Sequence, residues 1–120
     1  MRELEILAPA KNLECGMAAI EHGADAVYIG ASHHGARAAA GNSVEDIAKL
    51  CAYAHSFLAR VYVTLNTLVY EGEMESVLAL VRQLAEARVD ALLVQDMGIV
   101  GRIANCADDD PLAYFRTRLH

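Results

Sequence analysis

The chain has 120 residues, 55% of them hydrophobic, and its ten basic against sixteen acidic residues leave a formal charge of -6. That length and apolar content suit one packed domain and exclude a disordered chain, while the longest apolar runs fall far short of the ~20 residues of a membrane span. The acidic balance excludes a self-sufficient phosphate-binding surface, so any nucleic-acid contact has to come from local arginines or from other parts of a longer protein.

At the N-terminus, Met1-Arg2-Glu3-Leu4-Glu5-Ile6-Leu7 alternates charges into its first apolar residues. A secretory signal carries a continuous apolar region there, so the expected compartment is the cytoplasm. Residues 3–7 read as a short strand, and Pro9 in Ala8-Pro9-Ala10-Lys11 keeps a helix from starting early. Asn12 is a good N-cap, after which Leu13, Met17 and Ile20 define one helix face, with Gly23 available for a left-handed C-cap. Residues 26–29, Ala-Val-Tyr-Ile, form a continuous apolar run of the kind buried on both faces of a parallel sheet. A Gly-rich loop leads to Ser43, with Asp46 three residues on as a weak capping box, and Val44, Ile47, Cys51, Ala54 and Leu58 supply the inner face of a second helix.

Residues 60–65 are a third strand, rich in β-branched side chains. A third helix is expected over residues 73–87 with Val77, Leu80, Val81 and Leu84 inward; a fourth strand over 91–94; and a short helix over 99–105. Strands alternating with helices of this length require parallel pairing through right-handed crossovers, an α/β class. Half of an eight-stranded barrel and an open flavodoxin-type sheet share this pattern, and periodicity does not separate them. No internal repeat is visible in the sequence. Residues 1–106 form the expected domain of four β/α units, and 107–120, opening on Asp108-Asp109-Asp110-Pro111, read as an irregular acidic tail.

Ligands in either architecture bind beyond the carboxyl ends of the strands. Those positions carry Lys11 and Asn12; His33, His34, Arg37 and Asn42; Asn66 and Thr67; and Gln95 and Asp96. Arg37 can grip a carboxylate or phosphate with its planar fork, or be an ordinary solvated arginine. Asn66 suits either a ligand contact or a loop-fixing hydrogen bond. Asp96 has the position of a substrate-binding or general-base carboxylate, and equally that of a cap on the next helix. His33 and His34 are adjacent and poorly placed to share a metal, and His55 falls on the second helix as a surface or packing residue. Cys15, Cys51 and Cys106 form no Cys-x-x-Cys pair and read as buried or half-buried reduced thiols. Gly30 and Gly35 are not followed by Lys and Ser or Thr, and the first turn lacks three glycines, so neither the Walker loop nor the dinucleotide fingerprint is present.

Four strings go further: residues 7–14 (LAPAKNLE), 23–30 (GADAVYIG), 61–67 (VYVTLNT) and 89–96 (VDALLVQD). In this order they resemble the N-terminal motifs of the collagenase-like peptidase family, peptidase U32, with residues 35–38 and 53–55 fitting between them. The resemblance implies the N-terminal half of a TIM-like barrel in a longer bacterial protein, acting either as a protease or in oxygen-independent hydroxylation of tRNA, rRNA or ubiquinone precursors. It implies small-molecule, peptide or RNA substrates. Position at the strand ends makes Lys11, Arg37, Asn66 and Gln95 the candidate substrate-binding groups and Asp96 the candidate catalytic carboxylate. An iron–sulfur cluster or prephenate, used in some branches, would act through residues beyond this chain.

Taken alone the segment is expected to be inactive; the alternative is a non-catalytic remnant or association module. Leu58 and Arg88 depart from the family by standing where glycine commonly ends a helix, and residues from 107 onward lack the expected fifth strand and look foreign. With strand edges unpaired and one sheet face open, the isolated chain is expected to self-associate.

Overall fold

The computed structural model describes residues 5–31, 41–65 and 72–120. Its elements run β1 (Leu7–Ala10), α1 (Leu13–Glu21), β2 (Ala26–Gly30), α2 (Val44–Ser56), β3 (Arg60–Leu65), α3 (Met74–Glu86), β4 (Ala91–Val94) and α4 (Met97–Ala104), followed by a 3-10 helix, Pro111–Thr117. The four strands pair in parallel in the order β1-β2-β3-β4. Each crossover therefore advances one strand in the same direction, without the reversal of a flavodoxin-type sheet. This is the winding of a (β/α) barrel.

The register shows which side the helices cover. Val27, Val61, Val63 and Leu92 have no exposed surface, and they join Ile20, Ile47, Leu50, Val81, Leu84, Ile99 and Ile103 of the helices in one core. The alternate residues align across the sheet as Pro9, Tyr28, Tyr62 and Ala91, and one step on as Gly30, Thr64 and Leu93. These face the side without helices, where Tyr28, Tyr62, Thr64 and Leu93 are half-buried. Full burial on both faces, expected for β2, holds for Val27 and Ile29 on the helix-covered face and for the small Ala26 on the other, while in β4 Ala91 and Leu92 are buried and Leu93 and Val94 half-buried.

β1 lies later in the chain than the expected 3–7, of which residues 3 and 4 fall outside the described set. It includes Pro9, which the pattern had assigned to a loop. Pairing with β2 overrides the breaker because β1 is the outer strand, where a missing N–H is tolerated.

A repeated turn, invisible as a sequence repeat, ends the first three helices. Gly23, Leu58 and Arg88 take φ of 101°, 61° and 67°. The next residue in each case donates its N–H five residues back, Ala24 to Ala19, Ala59 to Ala54 and Val89 to Leu84, at 3.0, 2.9 and 3.3 Å. This is the Schellman arrangement, and the buried Ala24, Ala59 and Val89 anchor it. Asp25 and Asp90 then latch the following strand to its neighbour: Asp25 Oδ2 accepts from the Ile6 N–H at 2.8 Å and Asp90 Oδ2 from the Val61 N–H at 2.7 Å.

Leu58, expected on the inner face of the second helix, is instead 93% exposed in this turn. A left-handed conformation costs an L-residue roughly 1–2 kcal/mol, which glycine avoids at about 0.5–1 kcal/mol of extra chain entropy. Leu58→Gly loses no packing, so it is expected to raise stability by about 0.5–1 kcal/mol and the midpoint of thermal unfolding by a few degrees. An unchanged or lower midpoint would mean that this turn is not left-handed in solution.

Residues 107–120 are not irregular. Asp110 accepts from the Leu112 N–H at 2.9 Å, capping the 3-10 helix, and its two oxygens take a fork from Arg82 of α3 at 3.0 and 3.2 Å. The guanidinium, then the Leu112 N–H, holds the Asp110 carboxyl below its ordinary range. Leu112 and Phe115 are buried in the main core. Beyond them the chain turns parallel to β4: the Leu92 N–H donates to Arg118 O at 2.9 Å, the His120 N–H to Leu92 O at 3.0 Å and the Val94 N–H to His120 O at 3.3 Å. The fifth-strand position, expected to be empty, is thus occupied from Arg118 onward, and the outer edge of β4 is paired rather than open.

Candidate functional site

Parallel strands bring their carboxyl ends to one side, so Lys11 after β1 and Gln95 and Asp96 after β4 share the ligand end of the sheet. Their strands are not neighbours in the sheet. β1 and β4 are the first and last of the four strands, about 14 Å apart over three strand spacings. Arg37 and Asn66, with His33, His34 and Thr67, lie outside the described residues.

Asp96 is the N-cap of α4, its Oδ1 accepting from the Gly98 N–H at 2.8 Å and the Ile99 N–H at 3.2 Å. The helix starts at Met97, two residues before the expected position, because this cap satisfies its first turn. Gln95 is exposed beside it. Asn12 likewise caps α1, accepting from the Cys15 N–H at 2.8 Å.

Lys11 sits on an open cleft of about 440 Å³ lined by Pro9, Ala10, Lys11, Cys15, Tyr28, Gly30 and Thr64. Asn42 fixes its rim: the amide donates to Lys11 O at 3.1 Å and Gly30 O at 3.0 Å, joining the ends of β1 and β2. Tyr28 and Thr64, which sequence reasoning passed over as strand interior, project from the helix-free side. The available signal was period-two polarity inside β2 and β3, with Tyr28 and Gly30, then Tyr62 and Thr64, on one face. His120 was missed as well: the fifth-strand position brings its ring within 5.9 Å of the Tyr62 ring centroid.

A second polar cluster lies at the opposite, amino end. His55 Nε2 is 2.8 Å from Asp90 Oδ2, so this partly exposed histidine has a packing role, tying α2 to the residue before β4. Cys51, one turn before it, completes a Cys, His, Asp set by residue type. Its thiol is 1% exposed, and burial, then the charge of Asp90, push it up to about 12, which keeps it protonated and unreactive. Cys15 is exposed and Cys106 half-buried. The three cysteines occupy separate sites, and among the described residues no group of three or more His, Cys, Asp and Glu could hold a metal ion. The described residues therefore do not fit an iron–sulfur cluster.

No helix among the described residues is long and apolar enough to cross a membrane. The sequence profile described as Peptidase family U32 matches residues 11–114, running past the boundary expected at 106. The chain is 50% identical over 97 residues to the 23S rRNA 5-hydroxycytidine C2501 synthase of Escherichia coli K12, covering 81% of this chain and 15% of that protein. It is 37% identical over 97 residues to tRNA hydroxylation protein P1 of Bacillus subtilis 168, covering 80% of this chain and 23% of that one. It is also 29% identical over 99 residues to a collagenase of Porphyromonas gingivalis W83, covering 81% of this chain and 24% of the relative. The chain thus spans a quarter or less of each of these relatives. No solved structure matches it.

Proposed function

The chain belongs to peptidase family U32, and we propose that it is the opening β/α segment of an RNA-hydroxylating protein, supplying the β1–β3 side of that protein's substrate pocket. The observation that carries this reading is the 50% identity to the rRNA hydroxycytidine synthase over 81% of the chain, against 29% for the collagenase. The chemistry of the chain agrees with it. Among the described residues the one Cys, His, Asp grouping lies at the amino end of the strands with its thiol buried, which offers no nucleophile to a peptide bond. The cleft at the carboxyl end presents a lysine, a tyrosine and a threonine hydroxyl, with the exposed Cys15 of α1 at its side, and the first three are groups suited to positioning a polar planar substrate. On this reading the segment binds, and the groups that complete the reaction lie on other parts of a longer protein.

Deleting the gene for the whole protein and measuring rRNA and tRNA nucleosides by mass spectrometry tests the reading. The expected result is loss of a hydroxylated pyrimidine, restored by complementation. Unchanged nucleosides, together with loss of a peptide-cleaving activity, would instead favour the peptidase.

A further inference from the structure

We propose that the cleft at the carboxyl ends of β1, β2 and β3 seats a single pyrimidine nucleotide, with the ring over Gly30 and against Tyr28, the Thr64 hydroxyl at the ring's edge and Lys11 on the phosphate. The assignment rests on the RNA reading above and gives that reading a place and four residues. Three independent features lead to it.

The first is Gly30. Its φ is not in the left-handed region, and a Cβ built there meets only Thr64 Oγ1, at 3.5 Å, an ordinary contact. Neither backbone strain nor packing among the described residues calls for glycine at this point. What the missing side chain provides is room on the floor of the cleft. Gly16 is the contrast, because a Cβ there would come within 2.8 Å of Leu50, so that glycine serves the core.

The second is charge. Among the described residues Lys11 is the one charged residue lining the cleft, on a chain whose overall charge is -6. Lys11 is exposed, and none of the ion pairs among the described residues involves it. An anionic group is favoured here and disfavoured over most of the remaining surface.

The third is shape. Tyr28 is half-buried on the helix-free side, in register with Tyr62, and Thr64 lies one strand across from Gly30. A strand spacing of about 4.8 Å matches the width of a pyrimidine ring, so a ring on Gly30 places its edge at the threonine hydroxyl. The volume of about 440 Å³ takes one nucleotide, and among the described lining residues Lys11 is the group that meets its phosphate.

Titrating the purified 120-residue chain with cytidine monophosphate, cytidine and orthophosphate, followed by amide NMR shifts, is the test. The monophosphate is expected to bind saturably and more tightly than either part, shifting the amides of Gly30, Ala31 and Thr64. Gly30→Val should weaken it at least tenfold, and Gly30→Ala, which the 3.5 Å contact accommodates without refolding, should weaken it less but measurably. Lys11→Ala should bring the monophosphate down to the affinity of cytidine and leave cytidine itself unchanged. Binding no tighter than orthophosphate, or a folded Gly30→Ala chain that binds as well as the parent, overturns the proposal. Failure here with loss of RNA hydroxylation in the deletion strain rejects the seat and keeps the function. Binding here with unchanged RNA does the reverse.

Discussion

Phe115→Ala is expected to lower the stability of the chain by about 3–5 kcal/mol, the range for removing a buried aromatic ring. Phe115 has no exposed surface and belongs to the same core as the sheet and helices, not to a satellite cluster. The 3-10 helix that carries it packs on α3 and α4, and the Arg82 fork on Asp110 sets its approach. An appended foreign tail would contribute nothing, so the same substitution would then be silent. Small domains are stable by only about 5–15 kcal/mol, so the loss is large enough to leave part of the population unfolded at 25 °C. Urea unfolding followed by circular dichroism measures it, and Phe115→Leu, which keeps most of the volume, should fall between the two. A midpoint unmoved by Phe115→Ala would mean that residues 107–120 do not dock in solution.

Gly16→Val is expected to cost about 3 kcal/mol, at the upper end of overpacking effects. Gly16 is buried on α1 where that helix meets α2, and a Cβ there would stand 2.8 Å from both Leu50 methyls and 3.4 Å from Ala10 Cβ. Leu50 has no exposed surface and little space into which to turn. Leu50→Ala alone should cost about 2–5 kcal/mol by opening a cavity. The valine fills part of that cavity, so the double variant should be more stable than the sum of the two losses by about 1 kcal/mol or more. Additive losses in a double-mutant cycle would show that the two helices do not meet at these residues.

Much of this was legible in the sequence, residue by residue. Asn12, Ser43 and Asp96 stand at helix starts and each accepts a hydrogen bond from its own first turn, because a cap is a local interaction spanning a few residues. The strands at 26–29, 60–65 and 91–94 follow from unbroken apolar, β-rich runs of the right length. The candidate site was less legible. Lys11 lines the cleft, yet Asp96 is held as a cap at the far side of the sheet, and nothing in the local pattern distinguishes a capping carboxylate from a reacting one.

What the amino-acid order determined by itself is the alternation of strands and helices, their caps and their parallel class, since each depends on neighbours within one or two turns of chain. The tertiary structure decided the rest. Strand order told a singly wound sheet from a doubly wound one; pairing with β2 drew Pro9 into β1; and the position beside β4 turned an acidic tail into a docked 3-10 helix and a parallel bridge to Leu92. Each of these is a contact between residues far apart in the chain, and its energy comes from surface buried and hydrogen bonds completed across that gap. That energy outweighs the local preference of a proline, a leucine in a left-handed turn, or a run of aspartates, and no window of sequence contains both sides of it.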